Sequence, residues 1–320
     1  MDYFSSINPI ALIISVMIAS TPLVLAAIGE LVVEKAGVLN LGVEGMMICG
    51  AIFGFMAAVE SGSPVLGFIA ALVGGALIAL IFGVLTQYLL SNQVATGLAL
   101  TLFGLGFSAL LGHKYSGLKP PTSPRLDIQT LTDIPYVGKI LFTHDFMVYV
   151  SFLLVFAVWY FLKFTRGGLV LRSVGESHDA AHALGYKVVR IRLLAIMFGG
   201  ACAGLGGAYI SLIRVPLWTE SMTAGIGWIA LALVVFASWK PWRIVFGAYL
   251  FGGITILQLN WQAFGDIVIF GLRIPAPSVA YLSMTPYVIT IIVLVIISAD
   301  RKRVSANAPA SLGRVFHASH

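Results

Sequence analysis

Two polar side chains, Asn40 and Glu44, lie within an apolar run at residues 36–59. Four positions separate them, so a helix would place both on one face. A charged carboxylate near the middle of a bilayer costs roughly 2.5–3.5 kcal/mol, and such groups usually face the bundle interior or a watery cavity. Gly42 and Gly45 weaken the helix beside them. Two interpretations are open: a buried hydrogen bond between helices, or a residue that lines a transport pathway.

Three more polar side chains lie within apolar runs, namely Gln93, Thr96 and Gln258. An amide or a hydroxyl at such a position can hydrogen-bond a polar solute. We predict that these three residues line a substrate pathway together with Asn40 and Glu44. The sequence shows no pair of catalytic groups at a matching depth. We therefore predict a transport protein without catalytic residues rather than an intramembrane enzyme.

Metal and nucleotide sites are not predicted for this chain. The stretch HDAAH places His178 and His182 four residues apart, which is a zinc-like spacing on a helix. However, Asp179 stands where a metalloprotease has glutamate, and the sequence offers no third ligand. The phosphate-binding pattern GxxxxGK followed by Ser or Thr is absent as well. If ATP drives transport, its hydrolysis must take place on another chain.

The same stretch also has the residue types of a docking helix. Asp179, Ala180, Ala181 and Gly185 resemble the EAAxxxG element of ABC importer permeases, with Asp in place of Glu. That resemblance implies a short cytoplasmic coupling helix, which sits in a groove of an ATPase and follows its closure. Small alanines permit close docking, and a glycine suits the end of such a helix. With Glu176 just before it, we predict ATPase coupling here, and a plain surface helix is the alternative.

Composition indicates that membrane helices carry these residues. The chain of 320 residues is 59% hydrophobic and 10% charged, against about 45–50% and about 25% in soluble domains. Nearly all apolar length lies in runs of about 17–23 residues, each enough to cross a core of about 30 Å. We predict an all-α integral membrane protein, a polytopic helical bundle of about nine spans (about eight to ten), as one domain over residues 1–320. The spans are predicted at about 7–28, 38–59, 65–85, 92–112, 144–163, 193–213, 223–239, 244–260 and 284–299.

Basic residues predict the orientation of this bundle. They are concentrated in the loop 164–192 and in the tail 300–320, which four predicted spans separate. The positive-inside rule places both segments in the cytoplasm. The N-terminus is then outside and the C-terminus inside, and the proline-rich loop 113–143 is extracytoplasmic, where it could dock an external partner. The net charge of +6 follows from this arrangement and predicts no nucleic-acid partner.

Small residues recur at every fourth position in two of the spans. They are Gly67, Ala71, Gly75, Ala79 and Gly83 in the third span, and Gly199, Ala203, Gly207 and Ser211 in the sixth. In lipid, such stripes allow helix backbones to approach closely. We predict that they pack within the chain, and a subunit interface is the alternative.

Five stretches, in order along the chain, resemble ABC transporter permeases of the branched-chain amino acid and simple-sugar superfamily. They are GELVVEKAGVLNLGVEGMMICGA (29–51), SNQVATGLALTLFGLGFS (91–108), RSVGESHDAAHALGYKV (172–188), GIGWIALALVVFASWKPW (225–242) and TPYVITIIVLVI (285–296). They look closest to the nucleoside and simple-sugar branch, in which NLGxEGMM and NQVxxGxAL recur. Trp228, Trp239 and Trp242 depart from that pattern, which is often less aromatic.

The resemblance implies an importer subunit in a bacterial inner membrane. It implies a cytoplasmic ABC ATPase that holds ATP and Mg, a second homologous permease, expected to form a heterodimer with this chain, and an extracytoplasmic substrate-binding lipoprotein. This chain itself is expected to hold no cofactor and to contact the lipid bilayer. Purine nucleosides are the implied substrates. A simple sugar or a branched-chain amino acid is the alternative, and a carrier of another class would be ion-coupled through Glu44.

Overall fold

The computed structural model describes residues 9–124, 138, 142–264, 267–269, 272–274, 281, 284–285, 287–289, 291–292, 295 and 307–317. In chain order the helices are α1 (Pro9–Lys35), α2 (Val43–Ser61), α3 (Pro64–Gln87), α4 (Gln93–Gly112), α5 (Phe146–Phe164), α6 (Arg166–Glu176), α7 (His178–Ala183), α8 (Val188–Tyr209), α9 (Ile226–Phe236) and α10 (Pro241–Phe264). A 3-10 turn (His113–Tyr115) follows α4, and a π-helical turn (Ile210–Arg214) extends α8. Strands β1 (Ile267–Ile269) and β2 (Leu272–Ile274) form an antiparallel hairpin after α10.

Seven of these helices are long and apolar enough to cross a membrane, namely α1 to α5, α8 and α10. The predicted all-α membrane architecture is therefore confirmed, whereas the predicted count of about nine spans is not. Half of the residues of the predicted span 284–299 lie outside the described residues, and this span stays a prediction. Parts of two other predicted segments also lie outside the described residues: 125–137 and 139–141 of the outer loop, and 300–306 and 318–320 of the tail.

Close contacts between small residues hold α2, α3 and α8 together. A Cβ atom added to Gly75 of α3 would overlap the carbonyl oxygen of Gly200 in α8, and one added to Gly50 of α2 would overlap the backbone of Gly204. Backbones at this separation gain van der Waals contact along their whole length, which replaces the hydrophobic drive that lipid does not supply. The small-residue stripes of the third and sixth predicted spans thus pack within the chain, as predicted.

The second predicted span begins later than expected. Residues 38–42 are not helical, and α2 starts only at Val43. Gly37 has a φ of 84°, a left-handed conformation that ends the turn after α1 and that a glycine adopts without strain. Because residues 38–40 are irregular and residues 41–42 form a turn, the chain returns into the bundle without helical structure before α2 begins. This break between α1 and α2 carries Asn40.

The predicted span 223–239 is wrong in length. Only Ile226–Phe236 is helical, and its 11 residues rise about 16 Å at 1.5 Å per residue, roughly half of a hydrocarbon core. The run is apolar enough for a full span, but Ser238 and Trp239 have φ angles of 48° and 55°, which end the helix in a left-handed turn. The chain therefore contains a half-helix, α9, where hydropathy predicts a span.

Segments from three parts of the chain meet at one end of the bundle. Lys35 at the end of α1 donates to the carbonyl of Asn307 at 2.7 Å, and Ser311 N donates to the carbonyl of Gly175 in α6 at 2.9 Å. The described tail, residues 307–317, thus lies beside α6, α7 and the end of α1. The predicted basic loop and the predicted basic tail therefore share one face, which we call the basic end.

Candidate functional site

The half-helix α9 is held between two buried carboxylates, which come from different helices. Glu44 from the first turn of α2 binds its beginning, and Glu34 near the end of α1 binds the turn after it. Both side chains are buried. A half-helix inside a membrane leaves its terminal backbone groups without intrahelical partners, so these groups need side-chain partners. The two carboxylates therefore hold both ends of α9 in place.

Glu44 satisfies the buried N-terminus of α9. Thr223 Oγ1 donates to Glu44 Oε1 at 2.7 Å, and Gly227 N donates to Oε2 at 2.7 Å. The positive end of the helix dipole faces this carboxylate as well. Gly227 also lies so close that a Cβ atom there would meet the Glu44 backbone at 2.6 Å. Both oxygens of the predicted pathway residue Glu44 therefore bind protein groups.

Glu34 holds the other end of α9 through an indole. Trp239 Nε1 donates to Glu34 Oε2 at 2.6 Å, and Trp239 itself is in the left-handed turn that ends the helix. A non-glycine residue with positive φ needs compensation from its surroundings, and here the buried hydrogen bond supplies it.

The non-helical stretch 38–42 is lined with polar groups from α4 and from its own side chains. Leu39 N donates to Gln93 Oε1 at 2.9 Å, and Thr101 Oγ1 donates to the carbonyl of Leu41 at 3.2 Å. Asn40 accepts from Gly42 N at 3.0 Å through its Oδ1 and donates to Glu30 Oε2 at 3.4 Å through its Nδ2. Non-helical backbone at membrane depth is tolerated where protein satisfies it, and these side chains do so.

A cavity of about 200 Å³ lies between α1, α9 and α10 and contains Gln258. Its polar lining comes from Arg214, Thr255, Gln258 and Tyr287, and the remaining lining residues are apolar. Such a mixture of apolar walls and a few convergent polar groups is typical of a small-molecule site. The polar groups of this cavity can donate and accept hydrogen bonds, and its apolar groups can contact a carbon skeleton.

The five predicted pathway residues therefore fall into three places. Asn40, Glu44 and Gln93 meet around the stretch 38–42 and the start of α2, and all three are buried. Thr96 is half-buried near the start of α4, where its hydroxyl lies 2.9 Å from Ser91 Oγ. Gln258 alone lines the cavity. Asn40, Glu44 and Gln93 thus hydrogen-bond the non-helical stretch 38–42 or the half-helix α9. Gln258, in contrast, faces the cavity.

The segment that we predict to couple to an ATPase forms a short helix, α7, at the basic end. Ser177 caps it, since its hydroxyl accepts from Ala180 N at 3.3 Å, and Gly185 follows it with a φ of 88°, as suits a helix stop. Asp179 and Ala180 are exposed, whereas Ala181 is buried against the core of the basic end. The helix therefore presents a small exposed face while its other side is anchored.

A groove of about 480 Å³ runs beside α7, and its lining includes Glu176, Ala180 and Ala181. Lys35, Arg172 and Asn307 contribute the other polar groups with long side chains. This groove is open and carries charges of both signs. It therefore suits a protein surface better than a small apolar ligand.

The tail secures α7 from the opposite side. The ring of Phe316 lies 5.4 Å from that of His178 and 5.2 Å from that of His182 between centroids, both edge-on. Burial, and then the positive charge of Arg192, lower the pKa of His178 below its usual value. The two histidines that have zinc-like spacing thus pack on an aromatic ring. Among the described residues, no group of three metal-binding side chains comes together.

Sequence reasoning missed Glu30, Glu34 and Thr223. The predicted end of the first span at about residue 28 excluded both carboxylates, because acidic residues normally mark a membrane boundary. In the structure α1 continues to Lys35, with Glu30 and Glu34 buried. Glu30 and Glu34 are four residues apart, which places both on one face of a helix. This spacing is the sequence signal that could have identified them.

Comparisons with known proteins agree with this architecture. Residues 12–297 match the protein family described as "Branched-chain amino acid transport system / permease component". The "Putative glucose ABC transporter permease protein TsgC13" of Haloferax volcanii is 42% identical over 250 residues, which cover 77% of this chain and 76% of the relative. No solved structure matches the chain.

Two further relatives match over almost the whole chain. The "Guanosine ABC transporter permease protein NupQ" of Bacillus subtilis is 34% identical over 296 residues, 87% of this chain and 89% of the relative. The "Nucleoside ABC transporter permease protein NupC" of Lactococcus lactis is 32% identical over 304 residues, 90% of this chain and 92% of the relative.

Proposed function

Because the chain belongs to the family of permease components of branched-chain amino acid transport systems, we propose that it is the membrane subunit of an ATP-driven importer. Its substrate is a nucleoside, and a simple sugar is the alternative. ATP and Mg are held by a separate ATPase chain, so this chain carries no catalytic residue. The observation that carries the proposal is α7, a short capped helix with an exposed small face beside an open groove.

Two features of α7 support docking of an ATPase. Asp179, Ala180 and Ala183 are exposed and have short side chains, so a partner backbone can approach closely there. The other side is fixed by Ala181 and Phe316, which pack together in the core of the basic end. When an ATPase pushes a helix that is anchored in this way, the neighbouring segments move with it. We place the ATPase on this face, in the groove that contains Glu176, Ala180 and Lys35.

Enlarging the docking face tests this placement. Ala180→Trp, in the complex reconstituted with its ATPase, is expected to lower both uptake and stimulated ATP hydrolysis about tenfold, because overpacking an interface costs about 1–3 kcal/mol. Ala180→Ser keeps the small size and should stay within about twofold of the wild type. Normal transport by Ala180→Trp, or uptake that continues without the ATPase, would contradict the proposal.

The names of the relatives and the chemistry of the cavity support the proposed substrate class. Two relatives are named for nucleosides or guanosine and one for glucose, and these solutes share hydroxyl groups on a neutral ring. The cavity at Gln258 has the matching chemistry, since Arg214 donates hydrogen bonds and Thr255 and Gln258 both donate and accept them. We propose that this cavity is part of the pathway.

A change at Gln258 should affect transport without affecting coupling. Gln258→Leu is expected to lower uptake about tenfold at low substrate concentration, because a solute hydroxyl would lose its partner. Asn260→Leu is the matched control on the same helix, since the Asn260 amide donates to the carbonyl of Ile256. ATP hydrolysis should stay near that of the wild type in both variants. Equal uptake by the two variants would exclude Gln258 from the pathway.

We also propose the assembly and the orientation. The basic end is cytoplasmic, since the loop 164–192 and the tail 300–320 concentrate cations that the positive-inside rule places inside, so the N-terminus is outside. The membrane is the inner membrane of a bacterium. A second homologous permease completes a heterodimer, and an extracytoplasmic lipoprotein delivers the substrate to the opposite end. Purification with each partner, tagged separately, tests this composition.

A further inference from the structure

We propose that Arg192 is the positioning residue that transmits movement of the coupling helix α7 to the stretch 38–42. The proposal rests on the proposed ATPase coupling and adds the route by which the push reaches the broken helix. Arg192 lies in the first turns of α8, and its side chain is fully buried. Burial of a guanidinium costs free energy unless its N–H groups donate hydrogen bonds. The groups that pair with Arg192 therefore indicate what this side chain does.

The three partners of Arg192 belong to three separate segments. Nε donates to the carbonyl of Ala36, just after α1, at 3.1 Å, and Nη1 donates to the carbonyl of Arg314 in the tail at 3.1 Å. Nη2 lies 3.3 Å from Nδ1 of His178 in α7. One side chain of α8 therefore ties the end of α1, the tail and the coupling helix together. No other type of side chain offers five donors in a fixed planar arrangement.

Backbone contacts make these segments move as one block. Gly313 N in the tail donates to the carbonyl of Gly37 at 3.2 Å, and Ser311 Oγ donates to the carbonyl of Glu176 at 3.2 Å. Gly175 is so close to the end of α1 that a Cβ atom there would overlap the carbonyl of Lys35. At these contacts α6, the tail and the end of α1 lie close together, so we expect them to move together.

The block leads directly to the broken helix. Ala36 and Gly37 precede the non-helical stretch 38–42, and Glu44, which binds the start of α9, follows it. Packed side chains and hydrogen bonds between two sites can carry coupling between them. The path from α7 through Arg192 and Ala36 to the stretch 38–42 is such a set of contacts. Movement of α7 therefore shifts the support of α9 and, with it, one wall of the cavity.

The test compares transport per ATP hydrolysed in the complete reconstituted complex. Arg192→Met removes the donors and keeps an extended apolar side chain. We expect it to lower transport per ATP about tenfold while the ATPase still binds and still hydrolyses ATP. Arg192→Lys should restore part of the coupling, because the ammonium can reach one or two of the three acceptors. Arg190→Met, at an exposed position of the same helix, should match the wild type.

A second pair of variants keeps the proposal testable if Arg192→Met does not fold. His178→Phe removes the Nδ1 partner but keeps an aromatic ring on Phe316, and it should lower transport per ATP about fivefold. His182→Phe keeps the other ring contact and should have no effect. Unchanged transport per ATP in either Arg192→Met or His178→Phe overturns the inference. Failure of the wild-type complex to couple uptake to ATP overturns the proposed function instead, so the two failures differ.

Discussion

Glu44→Ala is expected to lower the free energy of unfolding by about 3–5 kcal/mol, because a buried hydroxyl and a buried backbone N–H lose their acceptor together. The two donors are those of Thr223 and Gly227, each at 2.7 Å from the carboxylate. Water cannot replace the carboxylate inside the bundle, and the start of α9 then has no fixed position. The unfolding midpoint of the purified protein in detergent measures the effect. Thr223→Val removes one of the two bonds and should cost less than half as much.

The variant Glu44→Gln distinguishes a structural role of the carboxylate from a role in which it binds and releases a proton. The amide keeps one acceptor oxygen, so the unfolding midpoint should lie between those of the wild type and Glu44→Ala, and ATP-driven uptake should remain measurable. An ion-coupled carrier that uses Glu44 behaves differently, since its uptake is abolished by Glu44→Gln and dissipated by a protonophore. That pair of results, in a folded Glu44→Gln protein, would favour the carrier over the ABC importer.

The long helices of this chain could be predicted from sequence because their signals are local. Hydropathy predicts a span at about 65–85, and Pro64–Gln87 is helical, with Pro64 at its first turn. The predicted span at about 92–112 is Gln93–Gly112, and the Asn92 side chain caps it by accepting from Ala95 N. Length, apolar content and capping residues lie within each segment. A single sequence therefore contains the information needed.

The half-helix and its site could not be predicted because their causes are distant in sequence. Glu44 and Thr223 are 179 positions apart, and Glu34 and Trp239 are 205 positions apart. An apolar run as long as 223–239 has the pattern of a full span, and only a partner from another helix stabilises the turn that stops it. Similarly, the sequence shows Arg192 only as one of several cations in a basic loop. Its three hydrogen-bond partners are visible only in the structure.

Packing of the small residues predicts the second large effect. Gly204→Ala is expected to lower the free energy of unfolding by about 3 kcal/mol. The new Cβ atom would overlap the carbonyl oxygen of Ala71 and lie 3.2 Å from Cα of Gly75, both in α3. These are backbone atoms of a packed helix, so they cannot rotate away as a long side chain would. The unfolding midpoint and the yield of monodisperse protein in detergent measure the loss.

The position of α8 explains why this contact cannot relax. Movement of α8 away from α3 brings Gly207 into α2, where a Cβ atom would already overlap the carbonyl of Met47. It also presses Gly199 onto Val33 of α1. Gly106→Ala in α4 is the matched control, since a Cβ atom there meets nothing within 4 Å, and the better helix propensity of alanine should add up to about 1 kcal/mol. A loss in Gly106→Ala as large as that in Gly204→Ala would mean that the backbone contacts of Gly204 are not the cause of the effect.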